Sequence, residues 1–137
     1  MKKKYVACAL LLNNKNKLLI QDRKGISKYG EEWSFFGGGI EKGENSKEAL
    51  IREIQEELGY DISNWKILYL GEIVHYIKTI DIEYHRFLYG IKIPNNIENF
   101  YDNEGSGAVF FSLDEVKKLK FNTNILAEIM QLENNFI

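Results

Sequence analysis

The sequence is poor in the features that mark several common protein classes. Its one cysteine, Cys8, has no partner for an intrachain disulfide. Basic residues are not in excess: 18 Lys and Arg stand against 20 Asp and Glu, a formal net charge of -2. No overall positive field therefore exists to hold long nucleic acid. No apolar run approaches the ~20 residues of a membrane span, so no membrane partner is expected. The start, MKKKYVACALLL, imitates a bacterial export or lipoprotein signal. The imitation fails on length, because only a few residues precede Cys8 and the polar NNKNK stands where a cleavage site should be. A soluble, cytoplasmic protein is the expectation. Repeats and low-complexity linkers are absent as well.

What is present is ordinary globular composition, 45% hydrophobic and 28% charged over 137 residues. Residues 1–137 are expected to form one domain, long enough to bury most of its surface without staples. YVACALLL is a continuous apolar run and reads as a buried strand. NNKNK is turn chemistry, and LLIQDR reads as a second strand closing a hairpin. WSFF reads as a short aromatic strand ending at Gly37. WKILYLGEIVHYI and IEYHRFLYGIKI read as two long strands joined through KTID, with Pro94 ending the second. AVFFSL reads as a last short strand. Ser112 caps a helical turn, and TNILAEIMQLENNF carries Ile125, Ile129 and Leu132 at helical spacing. Strands, helix, strands, helix, with no regular βαβ alternation, predict an α+β fold: a mixed sheet with a helix on each face.

The segment ENSKEALIREIQEELG carries clear helix punctuation. Asn45 is a good N-cap, Glu48 stands three residues later as in a capping box, and Gly59 sits where a C-terminal glycine belongs. At about 100° per residue, Leu50, Ile51, Ile54 and Leu58 share the core stripe. Glu53, Glu56 and Glu57 fall together on the neighbouring stripe, with Ala49 among them and Arg52 at its edge. A solvated face alternates acids with lysines. Here Glu53 and Glu57 form a like-charge i,i+4 pair, and acids near a helix C-terminus oppose the dipole. An acidic surface remains one reading. The other is a site for a hard cation such as Mg2+, which takes oxygen ligands and keeps waters for substrate phosphates. Ala49 would leave room beside it. The run Gly37-Gly38-Gly39 is either a tight turn or a place where backbone carbonyls approach a metal.

Gly38, Glu44, Arg52, Glu53, Ile54, Glu56, Glu57 and Gly59 reproduce, in every spacing, the motif Gly-x5-Glu-x7-Arg-Glu-U-x-Glu-Glu-x-Gly-U, where U is bulky and apolar. The sequence thereby resembles the Nudix hydrolases. The final U is normally Ile, Leu or Val and is here Tyr60, at a packing position. The predicted element order also resembles the Nudix α/β/α sandwich, a mixed β-sheet between helices. The resemblance implies hydrolysis of a nucleoside diphosphate linked to another group X, with divalent metal, Mg2+ and Mn2+ in substitution, holding the pyrophosphate. It implies that Glu56 and Glu57 are the principal metal ligands. Glu53 is a further ligand or takes the proton of water. The Gly38 carbonyl is a ligand, Glu44 supports, and Arg52 holds a box carboxylate.

Outside the motif, some family members bring a further carboxylate from the loop before the last strand. Glu104 stands at that place, with Glu98 and Asp102 as rivals in the same loop. Arg23 is a candidate for a phosphate contact or a plain surface arginine. Phe35 either stacks on a base or fills the core. Asn122 and Asn124 either cap the last helix or read a base edge. His75, Tyr84 and His85 lie on strands that border the pocket or simply pack.

A compact chain with little beyond the motif resembles the mutator-type members that cleave oxidised nucleoside triphosphates such as 8-oxo-dGTP to monophosphate and pyrophosphate. ADP-ribose and nucleotide sugars are the rival substrates. A nucleotide-sensing module without turnover is the rival class, disfavoured because every motif acid is present. The expected partner is a small nucleotide, and the chain is expected to be a monomer or homodimer.

Overall fold

The computed structural model describes residues 1–27, 31–97, 100, 107–121 and 124–136. In chain order the elements are β1 (Lys2–Leu12), β2 (Leu18–Asp22), β3 (Trp33–Ser34), β4 (Phe36–Gly39), α1 (Ser46–Leu58), β5 (Lys66–Ile77), β6 (Ile82–Lys92), β7 (Ala108–Phe111), α2 (Leu113–Val116) and α3 (Leu126–Phe136). They build the expected α+β arrangement, one mixed sheet with helices on its two faces. The sheet runs β3-β2-β1-β6-β5, with β4 added on β1 and β7 on β2. β1 lies parallel to β6 from Lys2↔Ile82 to Leu12↔Lys92 and antiparallel to β2 and β4.

β1 reads as an unbroken apolar run because both of its faces are covered. Ala7, Ala9 and Leu11 join Leu50, Ile54 and Leu58 of α1 in one core. Cys8, Leu10 and Leu12 join Ile129 and Leu132 of α3, and the neighbouring Ile125, in the other. Each fully buried Leu or Ile of these layers stabilises the fold by ~1.5–3 kcal/mol. Burial pushes the Cys8 thiol up to about 12, against a smaller opposing influence of Arg86.

α1 follows its local signals. Asn45 Oδ1 accepts from Glu48 N–H at 2.8 Å and Glu48 Oε1 accepts from Asn45 N–H at 2.9 Å, and Gly59 closes the helix in the left-handed region. The core stripe is Leu50, Ile54 and Leu58, with Ile51 half-buried. Ala49 is fully buried in the core beneath α1, rather than lying open among the acids. Tyr60, the one departure from the motif, packs against Trp65 and Phe100 with ring centroids 5.9 and 5.4 Å away.

Two boundaries differ from the sequence reading. The aromatic strand breaks at Phe35 and resumes through the glycine run to Gly39. The chain changes neighbours there, since β3 pairs with β2 and β4 pairs with β1. The last helix begins at Leu126, after Asn124, whose Oδ1 accepts from Leu126 N–H at 3.0 Å. Asn124 is thus a capping residue. Ser112 caps α2 as its sequence suggests, its Oγ accepting from Glu115 N–H. Among the described residues no helix is long and apolar enough to cross a membrane.

Candidate active site

The motif residues meet where α1 packs against β4. Gly37 pairs with Cys8, Gly38 with Ala7 and Gly39 with Val6. At Gly37, φ is 136°, and an added Cβ would run into the Ala7 carbonyl oxygen. Only glycine fits that turn. Its N–H donates to Glu57 Oε1 at 3.0 Å. Glu57 is 4% exposed, so its charge needs such partners to be tolerated. At Gly38 the constraint is space. An added Cβ would stand 2.5 and 2.7 Å from the two carboxylate oxygens of Glu53. The glycine run therefore brings backbone against two helix carboxylates.

Arg52 ties the remaining acids together. Its Nε and Nη2 donate to the two oxygens of Glu44 at 3.1 and 2.6 Å, a bidentate fork. Nη1 donates to Glu53 Oε1 at 3.0 Å and lies 3.4 Å from both oxygens of Glu56. Nη2 also reaches the Gly39 carbonyl at 3.0 Å. The Arg52 bond, with a second from Glu41 N–H, holds the Glu44 carboxyl below its ordinary range. The same pairing, foremost with Glu44, pushes the guanidinium further up. Arg52 thus offsets the like-charge cost that the acidic stripe would otherwise impose.

A hard cation suits this donor set. Among the described residues no three His, Cys, Asp or Glu side chains are already drawn into a metal cage. Mg2+ needs none, because it binds through one or two carboxylates and completes its shell with water and substrate phosphates. The half-exposed Glu56, the carboxylates of Glu53 and Glu57, and the backbone at Gly38 are oxygen donors on one rim.

The other candidates scatter. Arg23 follows β2 and is engaged by its own neighbours: Nη1 donates to Gln21 Oε1 at 3.2 Å and Nε lies 3.6 Å from buried Glu31. Phe35 is 6% exposed and packs on Phe121 at 5.1 Å, which is core packing, and it also borders a cavity described below. His75 faces buried Glu128 at 3.3 Å. His85 sits between Glu72 and Glu83. Glu104, its rivals Glu98 and Asp102, and Asn122 lie outside the described residues.

Beside Gly37 and Gly38 opens a cavity of about 140 Å3, bordered by Cys8, Phe35, Tyr84 and Arg86. Arg86 escaped the sequence reading. Its signal is an arginine set among the aromatic and aliphatic residues of β6. A larger cavity of about 390 Å3 lies at the far ends of β1 and β6, by Asn13 and Pro94. It borders none of the motif residues.

A family model described as NUDIX domain matches residues 1–132. The chain is 36% identical over 67 residues to an 8-oxo-dGTP diphosphatase of Proteus vulgaris, covering 49% of this chain and 60% of that one. It is 39% identical over 59 residues to the nucleoside triphosphatase NudI of an Enterobacter strain, covering 43% and 42%. The chain thus spans about half the length of these curated relatives. In fold it is similar to a MutT protein of Methanosarcina mazei Go1, with a TM-score of 0.78 at 16% identity over 99% of this chain and 97% of that one. It is also similar to the dihydroneopterin triphosphate pyrophosphohydrolase of E. coli, with a TM-score of 0.76 at 13% identity over 98% and 97%. At these identities the likeness speaks for fold alone.

Proposed function

Because the chain belongs to the Nudix family, we propose that it hydrolyses the phosphoric anhydride bond of nucleoside triphosphates, releasing a monophosphate and pyrophosphate. Oxidised nucleotides of the 8-oxo-dGTP type are the proposed substrates, a reading supported by the name of one curated relative, while the name of the other supports nucleoside triphosphates in general. The observation that carries the chemistry is the pairing of helix acids with the glycine strand: Glu57 on Gly37 N–H and Glu53 against Gly38.

The proposed cofactor is Mg2+, with Mn2+ able to substitute. Glu53, Glu56, Glu57 and the Gly38 carbonyl would hold it, and when bound it supplies charge neutralisation and activation of water. The chain's residues do the positioning. Arg52 fixes Glu44 and Glu53 and steadies Glu56, so the acids meet the pyrophosphate in a set geometry rather than as mobile charges. The absence of a side chain at Gly38 keeps the approach to Glu53 open. Displacement at phosphorus is in line, so catalysis is positioning and electrostatics. A carboxylate takes the proton of the attacking water; Glu53 and Glu104 are the proposed candidates.

The test is product analysis by ion-exchange chromatography. The purified protein is incubated with normal and 8-oxo nucleoside triphosphates, ADP-ribose and nucleotide sugars, with Mg2+ or with EDTA. Mg2+-dependent monophosphate and pyrophosphate from triphosphates is the expected result. Cleavage of ADP-ribose or a sugar nucleotide alone would overturn the substrate, and no turnover of any of them would overturn the enzymatic reading.

A further inference from the structure

Glu128 is 0% exposed and stands in the first turn of α3. A carboxylate buried so completely is tolerated only when its charge is compensated. The positive end of the helix dipole supplies part of that compensation. Among the described residues one side chain supplies the rest: His75 Nε2, from β5, lies 3.3 Å from each carboxylate oxygen. The other charged and titratable groups around the pair are placed elsewhere. On β6, Tyr84 is opposite His75 in the ladder, and Arg86 follows two residues on. On β1, Lys4 faces Tyr84 from the far side. The Cys8 thiol feels the charges of both Arg86 and Glu128, but burial keeps it protonated. On α3 itself, Glu133 pairs with Lys117 at 3.1 Å.

The far end of α3 is held by a contact of another kind. The Phe136 ring packs on Gly90, where an added Cβ would stand 3.1 Å from it. Lys66 and Lys92 lie over the same ring, 5.8 and 5.2 Å from its centroid, within cation–π range. Between the two ends, Ile129 and Leu132 share a core with Cys8 and Phe35, which are walls of the cavity beside Gly37 and Gly38. The helix is thus fixed along its length by apolar packing and at its start by one ionisable pair. The His75 side chain is 17% exposed, so the pair exchanges protons with solvent.

We propose that His75 and Glu128 form a pH-sensitive latch that holds the start of α3 against β5. With the imidazole protonated, a full positive charge faces the carboxylate. With the imidazole neutral, the bond from Nε2–H can persist, but the buried negative charge loses its counter-charge, and breaking such a pair is costly. Loosening the start of the helix returns Glu128 to water and removes that cost. Docking is therefore favoured at low pH and weakened as pH rises. Release uncovers the Cys8 and Phe35 side of the cavity. The device stands independently of the reaction proposed for the adjoining acids.

The test is hydrogen exchange of the α3 amides, read by mass spectrometry on the whole protein. It is run at about pH 5.5 and about pH 8.5, either side of the range in which histidine ordinarily titrates, and expressed as protection relative to the unfolded chain. In the wild type, protection of α3 should fall by at least ~10-fold between the two, the change that one unit of proton linkage produces. Glu128→Gln removes the charge and keeps an oxygen that accepts the Nε2–H bond, so protection should be equal at both pH values. His75→Gln cannot become charged, so protection should be low at both. Equal protection of the wild-type helix at the two pH values overturns the latch. So does a fall that persists in either variant, which would assign the pH dependence to another group such as His85. The variants alter opposite partners, so either decides the matter if the other fails to fold.

Discussion

The carboxylate of Glu53 occupies the space in which a side chain on Gly38 would begin. An added Cβ would lie 2.5 Å from Glu53 Oε1, whereas at the preceding Gly37 it would strike the backbone carbonyl of Ala7. The two glycines should therefore fail in different ways. In Gly38→Ala the obstacle is the far end of a flexible side chain, which can swing aside. Stability should fall by less than ~1 kcal/mol, while displacement of Glu53 lowers turnover by about 100-fold. In Gly37→Ala the obstacle is backbone at a φ of 136°, and stability should fall by at least ~2 kcal/mol. Urea unfolding and a steady-state assay on the same preparations test the contrast. Similar urea midpoints for the two variants would refute it.

Glu44 and Arg52 give the fold a pH signature. The Glu44 carboxyl titrates below its ordinary value of 4.5 because Arg52, and then Glu41 N–H, bond its charged form. A depressed folded value means the contribution to stability is fully present above about 4.5 and is lost as pH falls through the folded value. Arg52→Met removes the principal partner. The variant should be less stable than the wild type at pH 7, with the difference narrowing on acidification below pH 4.5. Chemical denaturation across that range reads it directly. A gap independent of pH would mean that Arg52 acts through packing rather than through Glu44.

The parts of the fold written in local chemistry were legible. α1 runs from Ser46 to Leu58 because Asn45, Glu48 and Gly59 are near-neighbour signals. Ser112 announces α2 in the same manner. What the chain does not write locally is which strand meets which. The parallel pairing of β1 with β6 joins residues such as Ala7 and Phe87, and nothing in either segment names the other. The break at Phe35, where the chain leaves β2 to pair with β1, was equally hidden. So was the burial of Ala49, since helical spacing puts it beside the acids while the sheet beneath covers it. In the site, the motif spacing placed the acids, but the approach of Glu31 to Arg23 and the position of Arg86 at one cavity with Gly38 depend on contacts between segments distant in sequence.

His85 supplies a signature of opposite sign. Its Nδ1 lies 3.0 Å from Glu72 Oε1 and its Nε2 lies 2.6 Å from Glu83 Oε1, and Tyr5 stacks on the ring at 4.8 Å. Both nitrogens can donate only in the protonated ring, so the bonds to Glu72 and then Glu83 raise the pKa above its ordinary 6.5. A raised folded value gives stability that is fully present below about 6.5 and lost as pH climbs through the folded value. His85→Asn should flatten that alkaline decline. A proton NMR titration should show the His85 ring titrating above 6.5 and moving down in Glu72→Gln. An unmoved titration in that variant would remove Glu72 as the main cause.

Glu57 carries the sharpest test of the site. It is 4% exposed and accepts from Gly37 N–H through Oε1. Glu57→Gln keeps the shape and retains an amide oxygen that can accept the same bond, so the β4–α1 contact survives. What it removes is the negative charge. If Glu57 holds the cation, as proposed, turnover should fall by at least ~100-fold, equivalent to about 3 kcal/mol of transition-state stabilisation. The concentration of Mg2+ needed for half-maximal rate should rise with it, and the thermal midpoint without metal should stay within a few degrees of wild type. Near wild-type turnover would sink the ligand assignment. A collapse of the midpoint would instead assign Glu57 to holding Gly37 in place, because loss of a purely electrostatic ligand leaves the metal-free fold untouched.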